Sequence, residues 1–258
     1  YDSPMDDRVK LDSSQMPAPG SVEAEHMADK HDAYMAIVGS ILWLANMTMP
    51  QLSYAASQLA RFVSNPAKVH MNAAIRVLIY LSGCLDYTLH LRPSTAPFFI
   101  CTDSNWETRF SCCGAIFYYL GCPFAWFAKT QRSVALSSAE SEYVAAMLAA
   151  KEGLFFREVL KDVGCQVLGP TVIYTDSQAT VELSIDAVAF KKTKHLLRAA
   201  EFLRDLVLRR VFCLKHIRGT SNPADVMTKS LPRGTFVQVV KLISEFPGNV
   251  DADGGGAP

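Results

Sequence analysis

Apolar and polar residues follow two different periods along this chain, and the change falls near residue 95. Between residues 33 and 92 the apolar positions recur at helical spacing and predict three helices, the first two separated at Pro50. No charged residue occurs between Asp32 and Arg61, but polar residues flank Pro50 and interrupt the apolar run. We therefore expect buried helices rather than a membrane span, which needs about twenty consecutive apolar residues.

From Pro97 onward, short apolar or aromatic runs typical of strands alternate with helical segments. The predicted strands are 97–104, 113–120, 123–129, 171–176 and 211–217, and the predicted helices are 137–163, 177–185, 191–210 and a last one from about Asn222. The order β-β-β-α-β-α-α-β-α indicates an α/β domain. The chain should thus comprise an extended lead (1–32), a small helical segment (33–92), the α/β domain (97–246) and a disordered tail (247–258).

Composition narrows the class of protein. The chain has 258 residues, of which 50% are hydrophobic, and this favours a globular protein. Its formal net charge of zero argues against a wholly basic nucleic-acid coat protein. Its seven cysteines are scattered, without the paired spacing of a zinc site or a disulfide framework. We expect reduced thiols and an intracellular protein.

Acidic residues stand at the ends of several predicted elements. Ser137 and Glu140 form an S-x-x-E pattern, which predicts a capping box and a structural role for Glu140. Glu142 lies on the opposite side of the same helix, on a face of alanines that should pack on the sheet. Asp103 and Asp176 end the first and fourth strands, which are commonly adjacent and parallel in this order.

A further acid, Asp225, follows a predicted N-cap at Asn222 and Pro223, so a role at the helix dipole is the alternative to a functional role. If Asp103, Glu142, Asp176 and Asp225 converge, they would repel one another unless divalent cations bind them. Oxygen-only ligand sets favour Mg²⁺ or Mn²⁺.

Several ordered motifs carry a resemblance to a known family. They are "CTDSNW", "FAWFAKTQRSVALSSAESEYVAA", "VIYTDSQATVEL", "KKTKHLLRAAEFLRD" and "HIRGTSNPADVMTKSLP". Together they resemble the ribonuclease H domain of copia-type LTR retrotransposon Pol polyproteins. The helical segment before them resembles the connection between reverse transcriptase and ribonuclease H, so the chain looks like a C-terminal fragment of such a polyprotein.

This resemblance implies a ribonuclease H-like fold, with a five-stranded mixed sheet flanked by helices. It implies a metal-dependent endonuclease that cleaves the RNA strand of RNA:DNA hybrids with two Mg²⁺ or Mn²⁺ ions. The catalytic and metal-binding residues carried over are Asp103, Glu142, Asp176 and Asp225, with Glu142 chosen over Glu140 by the E-x-x-A match. The implied partners are the hybrid and an upstream reverse transcriptase domain, in the cytoplasm, a virus-like particle or the nucleus, with no membrane.

Two departures from the family pattern affect this interpretation. The stretch from Trp106 to Gly114 is shorter than expected, which would disturb the sheet edge near Asp103. The loop before Asp225 contains no histidine, and we assign no catalytic role to His195 or His216.

Basic residues concentrate late in the chain. Residues 191–218 contain nine lysines and arginines against two acids, which indicates a phosphate-binding surface rather than an ordinary solvated helix. The predicted nucleic-acid contacts are Lys191, Lys192, Lys194, Arg198 and Arg218.

Two other functions remain as alternatives. One is an inactive, domesticated or relic module that binds nucleic acid or a protein. The other is an integrase-type transferase, which the order of the acids disfavours because Glu142 precedes Asp176. A polymerase site is not expected in this chain, since "PMDD" at 4–7 has proline where a palm motif needs tyrosine.

Overall fold

The computed structural model describes residues 2–106, 111–131, 135–165, 167–185 and 197–248, with the side chains of 197–199 excepted. The chain divides into two compact units. The first comprises the residues up to Leu89 together with Lys229–Val240, and the second comprises His90–Thr228 together with the residues from Lys241 on.

The first unit is helical. Its helices are α1 (Val22–Ala28), α2 (His31–Met47), α3 (Ser53–Ala60) and α4 (Lys68–Ser82), with short 3₁₀ helices at Ser13–Gln15 and Pro50–Leu52. Buried residues of α2, including Tyr34, Val38 and Ile41, face the core, and the Tyr34 hydroxyl donates to the Leu59 carbonyl at 2.8 Å. Among the described residues no helix has the length and apolarity needed to cross a membrane.

The expectation of an extended lead over residues 1–32 is wrong in its second half. Helix α1 forms there because the Ser21 hydroxyl caps the Ala24 amide at 3.2 Å and Glu23 and Glu25 lie in the positively polarised first turn. Met27 on this helix is buried. Residues 1–32 therefore contribute a buried apolar side chain to the first unit.

The second unit is built on one five-stranded sheet. Its strands are β1 (Phe99–Asn105), β2 (Cys112–Tyr119), β3 (Cys122–Thr130), β4 (Thr171–Thr175) and β5 (Phe212–His216). They lie in the order β3-β2-β1-β4-β5, with β1, β2 and β3 antiparallel and β4 and β5 parallel to β1. This mixed sheet and the predicted neighbourhood of β1 and β4 are confirmed.

The helices of the second unit are α5 (Ser138–Asp162), α6 (Gln178–Ile185) and α7 (Leu197–Leu208). The last helix, α8 (Arg233–Glu245), belongs to the first unit up to Val240. Helix α5 packs on β1 through a face of fully buried alanines, Ala145, Ala146 and Ala149, as predicted. Small side chains let the helix approach the strands closely. At Gly153 on the same helix, a β-carbon would lie only 2.8 Å from Ile100 Cδ1.

The C-terminal segment differs from its prediction in two ways. No α-helix begins at Asn222; a 3₁₀ helix, Pro223–Met227, forms there and α8 starts later. Residues 229–240 group with the first unit, although we expected the α/β domain to run from 97 to 246. Gly248 of the expected tail is buried and accepts a hydrogen bond from the Tyr174 hydroxyl at 2.9 Å, whereas residues 249–258 lie outside the described residues.

Candidate metal centre

Two adjacent parallel strands bring two acids to the same edge of the sheet. Asp103 lies on β1, and Asp176 directly follows the last residue of β4. The strands pair in parallel, with Ile100 opposite Ile173, so their carboxyl ends point the same way. Both acids follow apolar runs that are buried in the sheet, but β1 continues past Asp103 to Asn105, whereas β4 ends directly before Asp176.

Helix α5 supplies the third acid. Asp103, Glu142 and Asp176 each offer a carboxylate oxygen, and these three atoms lie within 4.8 Å of one another. Asp103 is 1% and Glu142 is 8% exposed, while Asp176 is more accessible from solvent. The three side chains thus form one group of acids in which Asp176 is the most accessible from solvent.

The surroundings of Glu142 hold one of its oxygens and leave the other available. Glu142 Oε1 accepts hydrogen bonds from the Ser104 hydroxyl at 2.9 Å and from the Ser104 amide at 3.2 Å. Glu142 Oε2 is buried and has no hydrogen-bond partner in the described part of the chain. Burial, followed by the negative charges of Asp103 and Asp176, raises the pKa of Glu142 to about 9, against the lowering effect of Ser104.

This arrangement fits a divalent cation. A buried carboxylate oxygen without a partner is costly, and a cation beside it would remove both the desolvation penalty and the repulsion between the acids. The three ligand atoms are all oxygens, which suits Mg²⁺ or Mn²⁺ better than softer metals. Asp103, Glu142 and Asp176 are therefore the residues that could hold metal.

Glu140 has a structural role at the start of α5. The Ser137 hydroxyl accepts from the Glu140 amide at 3.2 Å, as the capping pattern predicted. Glu140 Oε2, however, accepts from the Leu136 amide at 2.7 Å, one residue before the expected partner. The return bond therefore fixes the chain entering the helix, and Glu140 is not part of the acid group.

Asp225 lies on the buried 3₁₀ helix Pro223–Met227, which packs against β1 and β2. Asn222 caps this helix through its Oδ1, which accepts from the Ala224 amide at 3.1 Å, and its Nδ2 donates to the Thr102 carbonyl at 3.0 Å. The segment is thus fastened to β1 beside Asp103. Among the described residues, the Asp225 carboxylate nevertheless does not belong to the group whose ligand atoms lie within 4.8 Å.

A glycine on β2, Gly114, leaves room for the Pro223–Met227 helix to lie close to the sheet. Gly114 pairs with Asp103, and a β-carbon at Gly114 would collide with Met227 Cβ and come within 2.9 Å of Thr228 Cγ2. The strand pairing continues regularly from Asp103 to Asn105 opposite Cys112, so the expected disturbance of this edge by the short loop does not occur in the described residues. Residues 107–110 of that loop lie outside them.

The loop after β5 also approaches the acids. A β-carbon at Gly219 would lie 3.2 Å from Asp176 Oδ2, so the backbone of this loop passes directly over that carboxylate. Arg218, immediately before it, is exposed. His216 is half-buried at the end of β5, opposite Thr175, and is not in the acid group.

Most of the predicted nucleic-acid contacts lie outside the described residues. Lys191, Lys192, Lys194 and His195 lie outside the described residues, and Arg198 is described only as part of the α7 backbone. Of the five predicted contacts, Arg218 is the one whose side chain is described.

Sequence reasoning missed the residues that hydrogen-bond to the acids. Ser104 binds Glu142, and the Thr228 hydroxyl donates to Asp103 Oδ2. Ser104 is next to Asp103 in the sequence, but this is only a weak sign that it contacts the acids, because neighbouring residues of a strand point to opposite faces of the sheet. Thr228 gave no local signal, since it lies 125 residues from its partner.

The five-stranded mixed sheet, with helices around it and acids at the ends of β1 and β4, defines a ribonuclease H-like domain. Sequence relatives identify the family. The chain is 31% identical over 214 residues to the retrovirus-related Pol polyprotein from transposon TNT 1-94 of Nicotiana tabacum. It is 32% identical over 208 residues to that from transposon RE2 of Arabidopsis thaliana. These matches cover 81% and 79% of this chain.

The chain therefore belongs to the copia-type retrotransposon Pol polyproteins. It spans 16% and 14% of the length of these two curated relatives. A shorter relative, the secreted RxLR effector protein 161 of Plasmopara viticola, is 37% identical over 131 residues, which are 49% of this chain and 92% of the effector. No protein-family model matches the chain.

Two solved structures illustrate the structural comparison. LC11-RNase H1 in complex with an RNA/DNA hybrid aligns over 51% of this chain and 93% of its own, with 16% identity and a TM-score of 0.39. The foamy viral protease-reverse transcriptase in complex with an RNA/DNA hybrid aligns over 78% of this chain and 26% of its own, with 13% identity and a TM-score of 0.46.

Proposed function

We propose that this chain is a divalent-metal-dependent endonuclease that hydrolyses the RNA strand of RNA:DNA hybrids during retrotransposon reverse transcription. The observation that supports it most is the convergence of Asp103, Glu142 and Asp176 at the carboxyl ends of β1 and β4, with a buried oxygen of Glu142 turned to no described partner. Three oxygen ligands at this separation suit one divalent ion, and we propose a second ion about 4 Å from it, as in other two-metal sites.

The acids would divide the work as follows. Asp103, Glu142 and Asp176 hold Mg²⁺ or Mn²⁺, and Asp225 is proposed as the fourth ligand because its 3₁₀ helix is fastened beside Asp103. When bound, the metals supply an activated water and stabilise the leaving 3′ oxygen. The protein supplies a rigid, partly buried ligand set.

The hybrid would be held through its phosphates. Arg218 is exposed and adjoins Gly219, whose backbone passes over Asp176, and we propose on this ground that Arg218 binds a phosphate near the metals. Lys191, Lys192, Lys194 and Arg198 are proposed to extend this surface. Recognition of hybrid shape and of 2′-hydroxyls needs no base-reading motif.

The chain is also proposed to act as one part of a longer polyprotein. Its Pol relatives are several times longer, and a reverse transcriptase domain upstream would deliver the hybrid to this site. We place this activity inside the cell, where reverse transcription of the element occurs.

A cleavage assay tests the proposal. The purified chain is given an RNA:DNA hybrid with end-labelled RNA, and RNA:RNA and DNA:DNA duplexes of the same sequence, with Mg²⁺ or with a chelator. We expect cleavage of the hybrid RNA alone, only with metal, and its loss by orders of magnitude in Asp103→Asn and Asp176→Asn. Asp205→Asn is the matched control, because Asp205 is an exposed acid of the same unit that pairs with Arg209 at 3.2 Å.

The second candidate is a module that binds nucleic acid or a protein without cleavage. The position of Asp225 outside the close group of three acids favours it. Hybrid binding without cleavage at any concentration of Mg²⁺ or Mn²⁺ would select this candidate over the nuclease.

A further inference from the structure

One threonine connects two of the acids. The Thr228 hydroxyl donates to Asp103 Oδ2 and lies 3.1 Å from the Asp225 carbonyl oxygen, its other acceptor. Thr228 is fully buried. A single buried hydroxyl therefore joins a carboxylate of the acid group to the segment that bears Asp225.

We propose that Thr228 is a positioning residue for metal binding by Asp103. The inference rests on the proposed function, since it concerns the same site. By holding Oδ2, the threonine fixes the direction in which the Asp103 carboxylate faces the pocket shared with Glu142 and Asp176. Carboxylates that are oriented before the metal arrives lose less freedom on binding it.

The backbone around Thr228 keeps its hydroxyl in place. The Thr228 amide donates to the Asp225 carbonyl at 3.2 Å, and the Thr228 methyl group occupies the space left by the absent side chain of Gly114. Asn222 fastens the start of the same segment to the Thr102 carbonyl. These contacts fix the backbone and the methyl group of Thr228 and the start of its segment, and so they keep its hydroxyl beside Asp103.

Ser104 provides an independent parallel on the opposite side of β1. Its hydroxyl and amide hold Oε1 of Glu142, just as Thr228 holds Oδ2 of Asp103. In both acids, one oxygen is bound by a buried hydroxyl. Hydrogen bonds to ligating carboxylates typically change metal affinity by about tenfold to a hundredfold.

The test compares Thr228→Val, Thr228→Ser and Thr171→Val with the wild type. Valine keeps the shape of threonine and removes the hydroxyl, whereas serine restores the hydroxyl without the methyl group. Thr171 is the matched control, because it is equally buried in the same unit and its hydroxyl accepts from Arg157 at 2.6 Å, at the start of β4 away from the acids. Two quantities are measured: the Mn²⁺ or Mg²⁺ concentration that half-saturates the shift in melting temperature without nucleic acid, and that for half-maximal hybrid cleavage.

We expect Thr228→Val to raise both concentrations by about tenfold, Thr228→Ser to restore them, and Thr171→Val to lower the melting temperature without changing either. The inference is overturned if Thr228→Val binds metal like the wild type, if Thr171→Val shows the same loss, if serine does not restore binding, or if the wild type shows no metal-dependent shift. A wild type that binds metal but cleaves no hybrid contradicts the proposed function alone. The melting series then still decides the role of Thr228.

Discussion

Replacing Glu142 by glutamine should stabilise the metal-free protein while removing the proposed hybrid cleavage. Burial and the charges of Asp103 and Asp176 raise the Glu142 pKa from 4.5 to about 9, so the folded state keeps a proton that the unfolded chain has lost at pH 7. The cost of this mismatch at pH 7 is about 3 kcal/mol, taking about 1.4 kcal/mol for each unit between the unfolded pKa and the pH. Glutamine is neutral in both states and avoids this cost.

The sign of the effect with pH follows from the raised pKa. The protonated Glu142 contributes fully below pH 4.5, and this contribution is lost as the pH rises toward about 9. The advantage of Glu142→Gln over the wild type should therefore be near zero at pH 4, grow through neutral pH and level off above pH 9. Added Mg²⁺ should reduce this difference in stability, because the cation binds the ionised carboxylate of the wild type and not the amide of the variant.

The assay is chemical unfolding with a chelator at pH 5, 7 and 9, together with hybrid cleavage in Mg²⁺. Glu140→Gln is the matched control, since a glutamine can still accept from the Leu136 amide that Glu140 binds at 2.7 Å. It should leave both stability and cleavage close to the wild type. The assignment of the two glutamates would be refuted if the stability of Glu142→Gln relative to the wild type did not increase from pH 5 to 9. Loss of cleavage in Glu140→Gln would refute it as well.

Two further predictions concern residues around the site, and a third concerns His70 in the first unit. Gly114→Ala should destabilise the protein by about 1–3 kcal/mol, because the new methyl group would meet Met227; urea unfolding measures this. Asn222→Ala removes a helix cap and the bond to the Thr102 carbonyl, so it should lower the free energy of unfolding by about 1–2 kcal/mol and weaken metal binding. A loss of stability smaller than that caused by an Asn→Ala change at an exposed position would contradict this. Burial lowers the pKa of His70 to about 4, so its neutral form stabilises the fold above pH 6.5 and that contribution is lost as the pH falls toward 4; His70→Gln should flatten the stability profile between pH 7 and 5.

The sheet and three of the acids could be predicted because their signals are local. Apolar runs that end in an aspartate specify both the strand and the edge at which its acid lies, as for Asp103 and Asp176. The spacing of alanines on α5 likewise fixed the face on which Glu142 points to the sheet. Periodicity reports which side of an element is buried, and for Glu142 the buried side is also the side on which the acids meet.

The sequence alone did not predict features that depend on packing between distant segments. The partner of Glu140 differed by one residue, since the chain before a helix has no period from which its path can be predicted. Residues 229–240 group with the first unit rather than with the domain that precedes them in sequence. An amphipathic helix such as α8 shows that one face is buried, but its pattern does not indicate what covers that face.

Asp225 shows how a correct local prediction can still leave the site incomplete. The cap at Asn222 was predicted and forms, but the segment continues as a 3₁₀ helix of five residues rather than as an α-helix. With three residues per turn instead of 3.6, successive side chains are rotated differently, so the direction of a carboxylate three positions after the cap cannot be derived from α-helical geometry. What fixes this segment is its attachment to β1 through Asn222 and Thr228. These polar contacts link residues more than a hundred positions apart, and no local pattern in the sequence reports them.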